Sequence, residues 1–157
     1  MREQIAEFIL QFKGRPIRSS TAEEILIVME NKGNDIQSLR NSILFELRSI
    51  PNKINFLFIT VNEDSTSEET IALKSINFMG KIKNLPSGNF SRNKWLLNCT
   101  ALSSPLLELF LTNLNISNKV RFDKEYKNLY NFILNSADST PAGKVKYFIQ
   151  IFNSLST

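Results

Sequence analysis

The architecture of the N-terminal half rests on the segment Gly14–Gly33, GRPIRSSTAEEILIVMENKG. Ser20-x-x-Glu23 and Thr21-x-x-Glu24 both fit a capping box, in which a hydroxyl and a carboxylate satisfy each other's orphan amides. From there Ala22, Ile25, Val28 and Met29 fall on one face at helical spacing, and Lys32-Gly33-Asn34 marks a stop. The segment predicts a helix. Upstream, Ile5, Phe8, Ile9 and Phe12 recur at i, i+3, i+4 and i+7, which predicts a first helix over 2–12 with one apolar stripe. Lys13-Gly14-Arg15-Pro16 ends it, because Gly permits a left-handed stop and Pro cannot continue a helix. Downstream, Asp35 is placed to cap a third helix carrying Ile36, Leu39, Ile43, Leu47 and Ile50 inward, broken by Pro51-Asn52.

Strand-like sequence comes next. INFLFITV (54–61) is β-branched and aromatic, and VNEDSTSEET after it reads as a solvated acidic loop. TIALKSINF (70–78) predicts a returning strand. Segments 81–85 and 94–102 flank Pro86-Ser87-Gly88-Asn89 and predict a hairpin. Helices are expected over 106–114, over 124–135 capped by Asp123, and over 141–155 capped by Thr140. Helices, then strands, then helices give an α+β class. Residues 1–78 form a three-helix unit with strands, and 79–157 a β-hairpin region with a helical C-terminal half, packed with the first or beside it.

Composition excludes much chemistry. The chain has 157 residues, no histidine and one cysteine, Cys99, so imidazole catalysis, zinc fingers and intramolecular disulfides are out. Net charge is +4, but residues 1–70 hold 8 Lys/Arg against 11 Asp/Glu, and 71–157 hold 11 against 4. A basic second half permits an anionic partner. Glu3 and Glu7 interrupt the first apolar stretch, which argues against a secretory signal, and no apolar run approaches the ~20 residues of a membrane span. A cytoplasmic protein that does not engage a membrane is expected.

GRPIRSSTAEEI…LRNSILFELRSIPNKINFLFI resembles winged helix-turn-helix domains, nearest the HARE-HTH group. The shared features are a Gly-x-Pro turn, a second helix opening on a small polar residue, and a third helix running into a short strand. They cover about half the chain. The wing departs from the pattern, since VNEDSTSEET is longer and more acidic than a wing approaching phosphates. The resemblance implies DNA binding by a regulator or accessory factor, with the third helix in the major groove. Gln37, Ser38, Arg40 and Asn41 lie on its polar face, and Arg, Asn and Gln suit base edges. Arg15, Arg18, Lys53 and the hairpin cations Lys81, Lys83, Arg92 and Lys94 suit phosphates.

The other reading is a non-enzymatic protein–protein interaction module, an adaptor whose same helices dock a partner while the charge only solubilises. A homodimer through the C-terminal helices fits either reading. No enzyme is expected. Thr70-Ile71-Ala72-Leu73-Lys74 has a nuclease-like lysine but Ala72 where a carboxylate is needed, and Asp123-Lys124-Glu125 has no matching strand. No glycine loop cradles phosphate, so neither cofactor nor metal is implied. Cys99, without a histidine to activate it, reads as an inert core thiol, and Trp95 as core.

Overall fold

The computed structural model describes residues 1–14, 24–30, 36–48, 55–62, 70–83, 94–101 and 104–155. The expected turn and cap at 14–23 lies almost wholly outside them, as do the acidic loop 63–69 and the hairpin tip 84–93.

The apolar segment expected to be the second helix is a strand. Glu24–Glu30 forms β1, and every residue from Ile25 to Met29 is fully buried. A helix would have sent Leu26 and Ile27 to solvent. A strand covered on both faces buries all five, which is why central parallel strands read as continuous apolar runs. Around β1 the chain builds strands β2 (Asn55–Asn62), β3 (Thr70–Ala72), β4 (Lys94–Asn98), β5 (Asn118–Arg121) and β6 (Phe132–Ile133). They form a six-stranded sheet in the order β3-β2-β1-β4-β5-β6, with every pairing parallel. Residues 1–78 and 79–157 each contribute three strands to it.

Helices cover both faces. Helix α1 (Arg2–Leu10) and α3 (Pro105–Asn113) pack with Leu26, Val28, Val61 and Leu96 on one face. Helix α2 (Ile36–Leu47) and α4 (Pro141–Leu155) pack with Ile25, Ile27, Met29, Leu97 and Val120 on the other. The alternation of strands across two apolar layers reflects the period of two in a strand.

The architecture is therefore α/β, and the α+β expectation is overturned. The three-helix winged layout fails because its second helix is β1 and its third, α2, is the crossover that joins parallel β1 to β2. Two antiparallel expectations also fail. β3 pairs with β2 in parallel and lasts three residues before a 3₁₀ turn at Leu73–Ser75, and β4 lies between β1 and β5 instead of in a hairpin. The helix expected over 124–135 is a 3₁₀ turn at Lys127–Leu129 and then β6. Other readings hold. The strand at 55–62, the helix at 105–113 and the helix at 141–155 are present, and Thr140 Oγ1 accepts from Gly143 N at 3.1 Å at the start of α4. Trp95 stacks on Phe132 at 5.3 Å and meets Phe148 and Phe152, so it anchors the α4 layer.

The stripe on α1 is split, with Ile9 packed against the core and Phe8 and Phe12 outward. Ala6 and Leu10 are buried, whereas Phe8 and Phe12 are 60% and 76% exposed. α1 lies over α3, whose residues Leu106 to Leu111 are all buried, and the small Ala6 permits close approach.

Candidate functional site at the strand switch point

In an open parallel sheet, ligands bind outside the carboxyl ends of strands where the chain order reverses. Here the reversal falls between β1 and β4. β1 ends on Glu30, and β4 runs through Asn98, Cys99 and Thr100 to Ala101. Glu30 Oε1 accepts from Ala101 N at 2.5 Å, which ties the two strand ends together.

Beneath α3, the next turn of structure is a buried polar network. Glu108, in the first turn and a half of α3, accepts at Oε1 from Asn98 Nδ2 at 3.1 Å and from Arg121 Nη1. Its Oε2 accepts from the Tyr130 hydroxyl at 2.6 Å, and Tyr130 accepts from Asn98 Nδ2 at 2.8 Å. Asn98 Oδ1 in turn accepts from Thr100 N and Oγ1 at 3.2 and 2.7 Å. Arg121 Nε donates to Asp123 Oδ1 at 2.6 Å, and its guanidinium lies 5.6 and 5.8 Å from the Tyr126 and Tyr130 ring centres. Tyr126 reaches it from a left-handed backbone, φ 51°.

The electrostatics are set by burial. Burial pushes the Glu108 carboxyl above its ordinary range, while Arg121 and the Tyr130 hydroxyl pull it back. Burial works against the Arg121 charge, but Asp123 and Glu108 outweigh it and hold the guanidinium more firmly protonated than usual. Tyr130 is raised well above the usual phenol range by burial and by Glu108. A carboxylate with three donors and a guanidinium with two carboxylates form a satisfied network, which fixes α3 on the strand ends. Lys119, one strand residue pair away, donates to the carbonyls of Leu111, Thr112 and Leu114 at 2.7, 3.2 and 3.4 Å. It caps the C-terminal end of α3, where a cation suits the helix dipole.

The amino end of α3 is also engaged. Ser104 Oγ accepts from Leu107 N at 3.3 Å, and Glu3 of α1 accepts from Leu106 N at 3.3 Å and from Ser104 Oγ at 3.5 Å. Helix amides at that position commonly greet a phosphate. Here a carboxylate of the chain itself sits on them. On the other face, Lys144 Nζ donates to the Cys99 carbonyl at 3.2 Å. Burial pushes the Cys99 thiol up to about 12, in keeping with an inert core cysteine.

The described residues among those expected to hold nucleic acid lie on α2, beside Gly80 and at the start of β4. Gln37, Ser38 and Asn41 are exposed on α2 and, with Ser42, Phe45 and Glu46, line an open depression of about 650 Å³. Gln37 Nε2 donates to Asn41 Oδ1 at 3.3 Å. Arg40 is half-buried. Lys81 and Lys83 are exposed beside the segment that Asn113 of α3 holds through the Met79 and Gly80 carbonyls. Lys94 opens β4, between β1 and β5. Arg15, Arg18, Lys53 and Arg92 lie outside the described residues.

Sequence reasoning passed over Asn98, Glu108, Lys119, Arg121 and Tyr130. A signal was there: Asn in KWLLNC and Glu in PLLELFL each interrupt an apolar run, where a lone polar group needs a buried partner. Among the described residues, no group of three or more His, Cys, Asp or Glu is placed to hold a metal, and no helix is long and apolar enough to cross a membrane.

Fold and site define a doubly wound parallel α/β domain whose strand order is that of dinucleotide-binding sheets. No protein-family model, curated protein or solved structure matches the chain. Its β1–α2 connection, NKGND, carries one glycine where the phosphate-binding fingerprint of such sheets has three.

Proposed function

We propose that this domain is a non-enzymatic interaction module that works by docking another protein on the outer face of α1. One observation carries this reading. α1 is apolar on both sides, with Ala6 and Leu10 under it and Met1, Ile5, Phe8 and Phe12 on top, exposed by 92, 36, 60 and 76%. An exposed apolar row of this kind marks an interaction face.

The carboxyl edge supports the same reading from the other side. Among the described residues there, Asn98, Glu108 and Tyr130 serve one another and the amino end of α3 is met by Glu3, so these groups are engaged. Fold alone does not assign a nucleotide function. DNA recognition by α2 draws less support, because Arg40 is half-buried and the acidic Glu46 lines the same depression as Gln37 and Asn41.

A photoreactive phenylalanine analogue placed at Phe12, and separately at Gln37 on α2, tests the reading in the producing cells. Protein adducts from position 12 and none from position 37 are expected. Nucleic-acid adducts from position 37 with nothing at 12 would overturn it.

A further inference from the structure

The outer face of α1 has a specific chemistry. Met1, Ile5, Phe8 and Phe12 are spaced 4, 3 and 4 residues apart, the interval of a two-helix seam. Phe8 and Phe12 already meet edge-on with ring centres 5.3 Å apart. Two of the three charged side chains of α1 are drawn away from the seam, and the third, Glu7, is exposed. Arg2 Nη1 donates to the Lys74 and Ile76 carbonyls at 2.6 and 2.8 Å, and Glu3 turns to the amino end of α3. Along one flank of the seam stand Gln4 and Gln11, both exposed and neutral.

Resting on the docking reading above, we infer that the occupant of this face is the α1 of a second copy, packed antiparallel across a two-fold axis. In an antiparallel pair, like flanks face like flanks. Gln4 of one copy then lies against Gln11 of its partner, twice over. A primary amide carries both donors and an acceptor, so two glutamines satisfy each other where two like charges would repel. The seam layers match as well, with Ile5 against Phe8 and Met1 against Phe12 of the partner. A two-fold contact of this kind is closed and self-complementary, the commonest form of oligomer.

Area sets the strength. With large aromatic side chains at ~150–250 Å² each, the exposed parts of the four seam residues amount to roughly 500 Å² per copy. Stable interfaces bury about 800 Å² per partner, so this dimer is weak and depends on concentration.

Sedimentation equilibrium on the purified chain tests it. A reversible monomer–dimer equilibrium is expected, abolished in Phe8→Glu/Phe12→Glu. Gln4→Glu/Gln11→Glu and Gln4→Lys/Gln11→Lys should each dimerise at least tenfold more weakly than the parent. Mixing the two should restore dimer, now as a mixed pair. Circular dichroism confirms that each variant is folded. A dimer indifferent to the glutamine changes overturns the pairing. A chain that stays monomeric at every concentration, while position 12 still yields protein adducts, overturns self-pairing but leaves the docking reading standing. Failure of both overturns both.

Discussion

Glu108 of α3 and Arg121 at the end of β5 form an ion pair with each side chain only 1% exposed. The pair joins a helix to the sheet beneath it at the carboxyl edge, and Asn98, Tyr130 and Asp123 complete it. Breaking a buried pair from one side leaves an uncompensated charge in a dry site, which costs about 3–5 kcal/mol, whereas an apolar replacement of both is far milder. Arg121→Met and Glu108→Leu should each lose stability on that scale in urea unfolding. The double variant should be well less destabilised than the sum of the two. Simple additivity would show that the pair is not coupled.

Lys119 should give the protein a pH signature. Burial lowers its pKa from 10.5 to about 8. A group that binds its proton less tightly when folded makes the unfolded chain the better proton holder between those values, so stability rises with pH across that window. The stability of the parent chain relative to Lys119→Met should be flat below pH 8. It should then grow toward pH 10 by up to ~1.4 kcal/mol per unit. A difference that shrinks over the same range would contradict the burial of a strained cation.

Cys99 should be chemically silent. Its thiol, buried and pushed up to about 12, is neutral at pH 8, and only thiolates react with aromatic disulfide reagents at useful rates. The native chain should release no thiol signal over an hour, and the chain in concentrated urea should release one equivalent. Rapid reaction of the native chain would place Cys99 outside the core.

Gly80 is the point where the segment after β3 meets α3. It has φ 74°, and a Cβ there would lie 2.5 Å from Leu109 Cγ and 3.0 Å from the Leu109 backbone. Gly80→Ala should therefore destabilise by roughly 1–3 kcal/mol, through both conformation and overlap. Thermal unfolding would read this as a drop of several degrees.

Three elements were legible from local patterns. The helices at 105–113 and 141–155 and the strand at 55–62 were readable from their periodicity, boundaries and caps. Two physical effects hid the rest. The continuous burial of Ile25–Met29 erases the alternation that marks a strand, and five apolar residues at 25–29 suit helical spacing equally well. β5, NKVR, carries Lys119 and Arg121 fully indoors, against the rule that such residues stay in water. The carbonyls that end α3 admit Lys119, and the network that admits Arg121 joins residues 98, 108, 121 and 130, which nothing in the local sequence brings together. The α1 stripe was legible as a stripe, but not which way it faces.

The facing of α1 decides whether the docking surface exists, and thiol accessibility measures it. In a Cys99→Ala background, single cysteines at positions 6, 8, 10 and 12 can be timed against a maleimide in dilute solution. Positions 8 and 12 should react at rates near those of the unfolded chain, and 6 and 10 should be slowed at least a hundredfold. Protection of 8 and 12 with fast labelling of 6 and 10 would place the aromatic stripe in the core and remove the docking face.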